Sequence, residues 1–169
     1  MFGLFTDQAT AEDPTGWSEV VEVRPATSGT QVSKALGLEP GAPVHEVAIR
    51  YQRNGEPLAL RTLSVPVAAM PDLPDQLGTN SIATVMASLG LAGGAALQTF
   101  RATRCTRAQA ELLGISPGDA VMVWSGVLYT AEAAARAHVL TLFRGDRITF
   151  QIRQGRPVVA AVGTTSAAP

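Results

Sequence analysis

The chain has 169 residues, 46% of them hydrophobic, and a formal net charge of −1: enough for one globular domain with one core, and too balanced in charge for non-specific binding to nucleic acid or other polyanions. A lone cysteine, Cys105, and two histidines exclude an intramolecular disulfide and leave no set of side chains for a metal or metal cluster, so no metal or cofactor is expected, and the setting is read as reduced and cytoplasmic. No apolar run reaches the roughly 18–20 residues of a membrane span, and the start has neither the basic nor the long apolar region of a signal peptide, so no membrane partner is expected.

Residues 1–16 are polar, with Pro14 and Gly16, and read as a flexible tail. "WSEVVEV" (17–23) is β-rich and opens the first strand. "GTQVSKALG" predicts a short helix with Thr30 as a possible cap and Gly37 as its αL terminator, and "EPGAP" a Pro-Gly turn. "VHEVAIRYQ" alternates as a half-buried strand does. Asn54-Gly55 is a two-residue hairpin signal, returning through "PLALRTLSVP". The stretch "PDLPDQLGTNSIATVMASLGL" predicts a loop and then a helix capped by Asn80 or Ser81. "ALQTFRAT" is the next strand, and "CTRAQAELLG" a helix capped by Thr106 and ended by Gly114. "VMVWSGVLY" and "HVLTLF" form a second hairpin around "TAEAAARA", and "RITFQIR" (147–153) extends that strand or adds another. Residues 155–169 read as a second flexible tail.

One phrase occurs twice. "ALGLEPGAPV" from Ala35 and "LLGISPGDAV" from Leu112 align without a gap, putting Arg24 on Arg101, Leu36 on Leu113, Gly37 on Gly114, Pro40 on Pro117, Gly41 on Gly118 and Val44 on Val121. Two units, about 23–64 and 100–141, each strand–helix–turn–hairpin, are joined by the linking helix. Hairpins make the sheet antiparallel, and each unit is too small to bury a core alone. The expected fold is therefore α+β, one antiparallel sheet shared across a pseudo-twofold axis, with the helices on one side of it.

The ordered set of helix, "LGLEPGAPV", "NGEPLAL", "VP", then "LGISPGDAV" and the closing "FRGDR" (143–147) resembles the UTRA domain, the effector-binding domain of GntR-family regulators of the HutC type. The resemblance covers about residues 17–153, with the domain itself expected over 17–154. It implies a chorismate lyase-like fold, a small-molecule sensor acting on transcription, a small anionic effector (phosphonate, phosphorylated sugar or carboxylate) and a homodimer. The family's winged helix-turn-helix needs about 60–70 residues ahead of this domain. Some sixteen stand here, so the chain as given is expected not to bind DNA by itself. In the last hairpin many relatives carry "DGxPVE" with a ligand-facing glutamate. "EAAARAH" puts Ala137 near that position, so no acidic ligand contact is expected.

Five residues are candidate effector contacts. The resemblance places pocket arginines on the strand that holds Arg61, where a guanidinium grips an oxyanion bidentately. Ser81 opens the linking helix, where free N–H groups and the dipole suit an anion. His138, with Arg136 beside it, lies in the last hairpin at the repeat position of Arg61 and is a donor that titrates near neutral pH. Arg50, in mid-strand, is placed to line the same pocket. Arg144, Asp146 and Arg147 of "RGDR" read as a self-paired turn. No nucleophile with a partnered base is visible, so no catalytic residue is expected. The two other functions compatible with the residues are a chorismate lyase-like enzyme and a stand-alone dimerisation module.

Overall fold

The structure, a computed structural model, describes residues 16–91 and 96–148. The expected tails (Gly16 aside), residues 149–153 of the last expected strand and the end of the expected domain lie outside those residues. In chain order the elements are β1 (Gly16–Thr27), α1 (Thr30–Leu36), β2 (Pro43–Arg53), β3 (Glu56–Pro66), α2 (Leu73–Thr79), α3 (Ile82–Ser88), β4 (Ala96–Arg104), α4 (Arg107–Leu113), β5 (Ala120–Tyr129) and β6 (Ala135–Arg144). The six strands form a single antiparallel sheet in the order β1-β2-β3-β6-β5-β4. Each repeat supplies three adjacent strands, and β3 pairs with β6 at the seam between them.

The duplicated phrase folds twice into one local structure. Gly37 and Gly114 end α1 and α4 at φ 65° and 64°, the left-handed region in which a Cβ is costly. In the first repeat the Leu38 N–H donates to Ser33 O, that of Gly41 to Ser28 O and that of Ala42 to Glu39 O. The second repeat makes the same bonds 77 positions on, from Ile115 to Ala110, Gly118 to Cys105 and Asp119 to Ser116. The Asn54-Gly55 turn is present, with φ 52° and 78°, as a two-residue hairpin of the primed type requires. Thr106 caps α4 in a reciprocal box with Gln109.

Three local expectations change. Gly29, not Thr30, is the N-cap of α1, and it offers no side-chain bond. The stretch expected as a loop before the linking helix is itself helical: α2 carries Pro74 in its first turn, where a missing N–H costs nothing. Arg147 belongs to the turn after β6 rather than to a strand.

The antiparallel α+β architecture matches the sequence reading, but the helices lie on both faces of the sheet. α2 and α3 bury Leu73, Val85 and Leu89 against Val47, Ile49, Leu63, Val139 and Phe143. On the other face α4 buries Ala110 and Leu113 against Leu60, Val121, Val123 and Leu142. The cause is in the central strands, which are apolar at both parities: Leu60 and Leu63, Val123 and Trp124, Leu142 and Phe143 are all buried. A sheet with two apolar faces must be covered twice.

The second hairpin carries one extra residue. In the first, Gln52 pairs with Pro57 across residues 53–56; in the second, Tyr129 pairs with Ala135 across residues 130–134. Beyond that turn the gapless alignment no longer holds. Val44 pairs with Pro66, whereas its counterpart Val121 pairs with Arg144 and not with Phe143. The longer turn places Ala133 at φ 61°, held by its N–H to Thr130 O at 3.0 Å and by Thr130 N–H to Ala134 O at 2.9 Å. A non-glycine residue is strained there by about 1 kcal/mol. Ala133→Gly is therefore expected to raise stability by about 0.5–1 kcal/mol, read as a higher urea midpoint at unchanged slope; a lower midpoint would contradict the strain.

Candidate functional site

Alternation along β3 places Arg61 on the face covered by α2 and α3, between cross-strand neighbours Ile49 and Thr141. Its Nε donates to Thr141 Oγ1 at 3.1 Å. Its guanidinium carbon lies 4.9 Å from the Tyr51 ring centroid and 5.5 Å from that of Trp124. Two aromatic faces and a fully buried threonine thus hold one cation at the middle of the sheet. Aromatic contact stabilises such a cation by about 0.5–2 kcal/mol, more as water is excluded. Lost side-chain freedom on an arginine is itself costly, and here the rings and Thr141 fix the fork in advance.

The same layer holds polar atoms left without partners. Trp124 is 5% exposed and its indole Nε1 has no hydrogen-bond partner. His45, on β2 in alternation with Val47 and Ile49, is 8% exposed with neither ring nitrogen bonded. Each buried donor without an acceptor costs about 1–3 kcal/mol, so such atoms are uncommon in a finished core. Neither residue was a sequence candidate, because a tryptophan and a histidine in apolar strands read as core. The separating signal is a polar atom left unpaired, and periodicity does not carry it.

Ser81 is where the linking helix was expected to start. It is the N-cap of α3, its Oγ accepting the Thr84 N–H at 3.2 Å and lying 3.0 Å from Thr84 Oγ1. Through Val85 and Leu89, α3 packs into the cluster that contains Tyr51 and Trp124, so Ser81 and Arg61 belong to one side of the sheet. Asn80 instead closes α2, its N–H donating to Gln76 O. Ala137 is fully buried in that cluster: where the resemblance puts an acidic side chain, this chain has a methyl group.

The other candidates are elsewhere. His138 does not come opposite Arg61. The extra residue in the second turn flips every later side chain of β6 to the other face, so the counterpart of Arg61 is Val139 and that of His138 is Leu60. His138 is buried beside Ser64 and Val127. Arg50 also lies on that second face, bonded to Glu19 at 2.6 Å, with its Nε buried and unpartnered. Arg136 is exposed at the start of β6. In the closing motif Arg144 grips Asp146 through two bonds of 3.0 and 2.7 Å and donates to Pro57 O at 3.2 Å, while Arg147 pairs with Glu56. This self-paired turn ties the end of β6 to the start of β3.

A shallow, open surface depression lined by Arg24, Pro25, Ala26, Thr27 and Glu46 lies on the outer edge of the sheet, where Arg24 and Glu46 are paired. It contains neither Arg61 nor any other candidate. Among the described residues no three His, Cys, Asp or Glu side chains gather as a metal site, and no helix is long and apolar enough to cross a membrane.

Two three-stranded repeats fused into one sheet, with a helix pair closing one face, define a domain of the chorismate lyase-like class. The UTRA domain model matches residues 17–149, most of the chain, and the chain belongs to that family. It is 25% identical over 149 residues to the HTH-type transcriptional repressor PhnF of Mycolicibacterium smegmatis, covering 88% of this chain and 61% of that protein. It is 22% identical over 147 residues to the HTH-type transcriptional repressor NagR of Bacillus subtilis, covering 86% and 60%. The chain thus spans about three-fifths of the length of these curated relatives. The crystal structure of the effector domain of PhnF from Mycobacterium smegmatis has the same fold, with a TM-score of 0.73 at 23% identity over 83% of this chain and 88% of that one.

Burial pushes the pKa of His138 below the ordinary histidine range. With the folded value depressed, the unfolded chain takes up the proton first. Stability is then at its full value above about pH 6.5 and falls as the pH drops through that value. His138→Gln is expected to flatten the fall in urea midpoint between about pH 7 and 5. An unchanged slope would place its source elsewhere.

Proposed function

We propose that this chain is the sensor domain of a transcriptional regulator and that it binds a small metabolite bearing an oxyanion in the layer between the sheet and α2–α3. The observation that carries this reading is Arg61, a cation fixed between two aromatic rings and a buried threonine on the face that the linking helices cover. A guanidinium pre-set in this way meets a phosphate, phosphonate or carboxylate with little further ordering. Ser81, at the start of α3, is proposed as a second contact at the rim. Arg50 and His138 lie on the opposite face and Arg136 is exposed, so the proposed pocket does not include them.

Membership of the UTRA family and the repressor relatives support a regulatory role rather than catalysis. The lyase alternative finds a methyl group, Ala137, at the position where it needs an acid. In the proposed mechanism, effector binding stabilises one placement of α2–α3 over the sheet. The difference in affinity between the two placements is the free energy available for signalling. The signal would pass to a DNA-binding region outside this chain, or to a partner that has one, and within a cytoplasmic homodimer.

Calorimetry with inorganic phosphate, methylphosphonate and a hexose 6-phosphate tests the reading. At least one is expected to bind, and Arg61→Ala to weaken that binding by about 10- to 100-fold, the usual worth of hydrogen bonds to a charged group. Arg61→Lys should fall between the two, because it keeps the charge without the fork. Equal affinities for wild type and Arg61→Ala would remove Arg61 from the site.

A further inference from the structure

The proposed pocket has one more polar group that no resemblance points to. Trp124 faces Arg61 across a ring contact of 5.5 Å and pairs in the sheet with Thr141, the residue that holds the Arg61 Nε. It is 5% exposed, yet its Nε1 meets neither a protein acceptor nor solvent. An indole N–H is a donor only, and a tryptophan placed purely for packing usually finds an acceptor when buried. Leucine or phenylalanine would fill this position on the sheet without that cost.

We propose that the Trp124 indole N–H is a specificity-determining donor to the bound effector. It would donate to an oxygen of the same oxyanion that Arg61 holds, or to an oxygen bonded directly to that group. This inference rests on the oxyanion reading of the pocket and goes further in giving the effector a second, neutral, strongly directional contact. Pairing with a ligand oxygen would satisfy the buried donor, so relief of its desolvation cost would contribute to binding. The contact also sets a chemical requirement: an acceptor oxygen must lie in the plane of the Trp124 ring, at the edge where its N–H emerges, while the anion lies against Arg61. The other unpartnered atoms of this face, on His45, sit four residues along β2 from Ile49, about 13 Å away at strand rise. That is too far to serve the same group.

The test uses the whole chain, ¹⁵N-labelled, with inorganic phosphate as probe. Two indole N–H resonances are expected, from Trp17 and Trp124, assigned by the one that disappears in Trp124→Phe. Phosphate is expected to shift the Trp124 resonance downfield along a saturable curve. Trp124→Phe keeps an aromatic face against Arg61 and removes the donor, together with part of the ring volume. It is expected to bind phosphate at least fivefold more weakly, with a thermal midpoint no lower than wild type in the absence of phosphate. A purely structural tryptophan would give the reverse: a lowered midpoint and unchanged affinity. If phosphate saturates the protein and the Trp124 resonance does not move, or Trp124→Phe binds as wild type does, the inference is overturned and the Arg61 site stands. If wild type shows no saturable binding of phosphate, methylphosphonate or the hexose 6-phosphate by NMR or calorimetry, both the inference and the oxyanion reading fall.

Discussion

The structure depends on the pairing of β3 with β6. Neither repeat has a complete sheet: each contributes three strands, and the seam runs from Ala59↔Phe143 through Thr62↔Leu140 to Ser64↔His138. The pseudo-twofold axis passes through the Thr62↔Leu140 pair. Across the seam the helices exchange support, α1 resting against β6 of the second repeat and α4 against β3 of the first. A half-molecule would therefore lose both a sheet neighbour and a helix cover. The two halves are one folding unit, although their sequences repeat.

That duplication explains how much of the fold was legible. Turn and cap residues have strict conformational demands: a left-handed glycine at 37 and again at 114, a hairpin at Asn54-Gly55, a capping box at Thr106. Each announces itself locally, so the order of the strands and repeat helices and the antiparallel sheet could be read directly, whereas α2 lies in a stretch that reads as a loop. Two further features could not. The first is which faces need covering, because the apolar residues of β3, β5 and β6 do not alternate cleanly and period alone does not separate a one-sided sheet from a two-sided one. The second is the extra residue in the 130–134 turn. A gapless repeat aligned His138 with Arg61; a single inserted residue reverses the faces of the strand beyond it. Nothing in β6 itself signals that change, since the cause sits in the turn before it.

The candidate site was half legible for a related reason. Arg61 stands out because the resemblance places pocket arginines on its strand, and Ser81 because a hydroxyl at a helix start is visible as a residue type. Tyr51, Trp124 and Thr141 are ordinary strand residues, and their relation to Arg61 exists only once β2, β3, β6 and β5 lie side by side. Arg50 and Arg61 are both arginines in mid-strand and both candidates for one pocket, although the resemblance points only to the strand of Arg61. Register separates them: Arg50 is opposite Leu60 and faces Glu19, while Arg61 is opposite Ile49 and faces the rings.

The two faces of the sheet also differ in origin, and that difference bears on function. One face is covered by α4, which belongs to a repeat and has a counterpart in the other. It is bound by the symmetric interactions around Gly37 and Gly114 and contains the buried Cys105 and Leu113. The other face is covered by α2 and α3, which come from the segment joining the repeats and have no counterpart. Symmetry places no constraint there, and the residues beneath diverge: Arg61 in β3 is matched by Val139 in β6, and Ile49 in β2 by Gly126 in β5. The unpartnered nitrogens of His45 and Trp124 lie under this same unduplicated cover. A duplicated sheet provides a rigid floor, and the unduplicated helix pair makes one side of it chemically distinct. Two identical half-sites would present the same contacts twice, whereas an asymmetric face offers different contacts to the two ends of one small molecule.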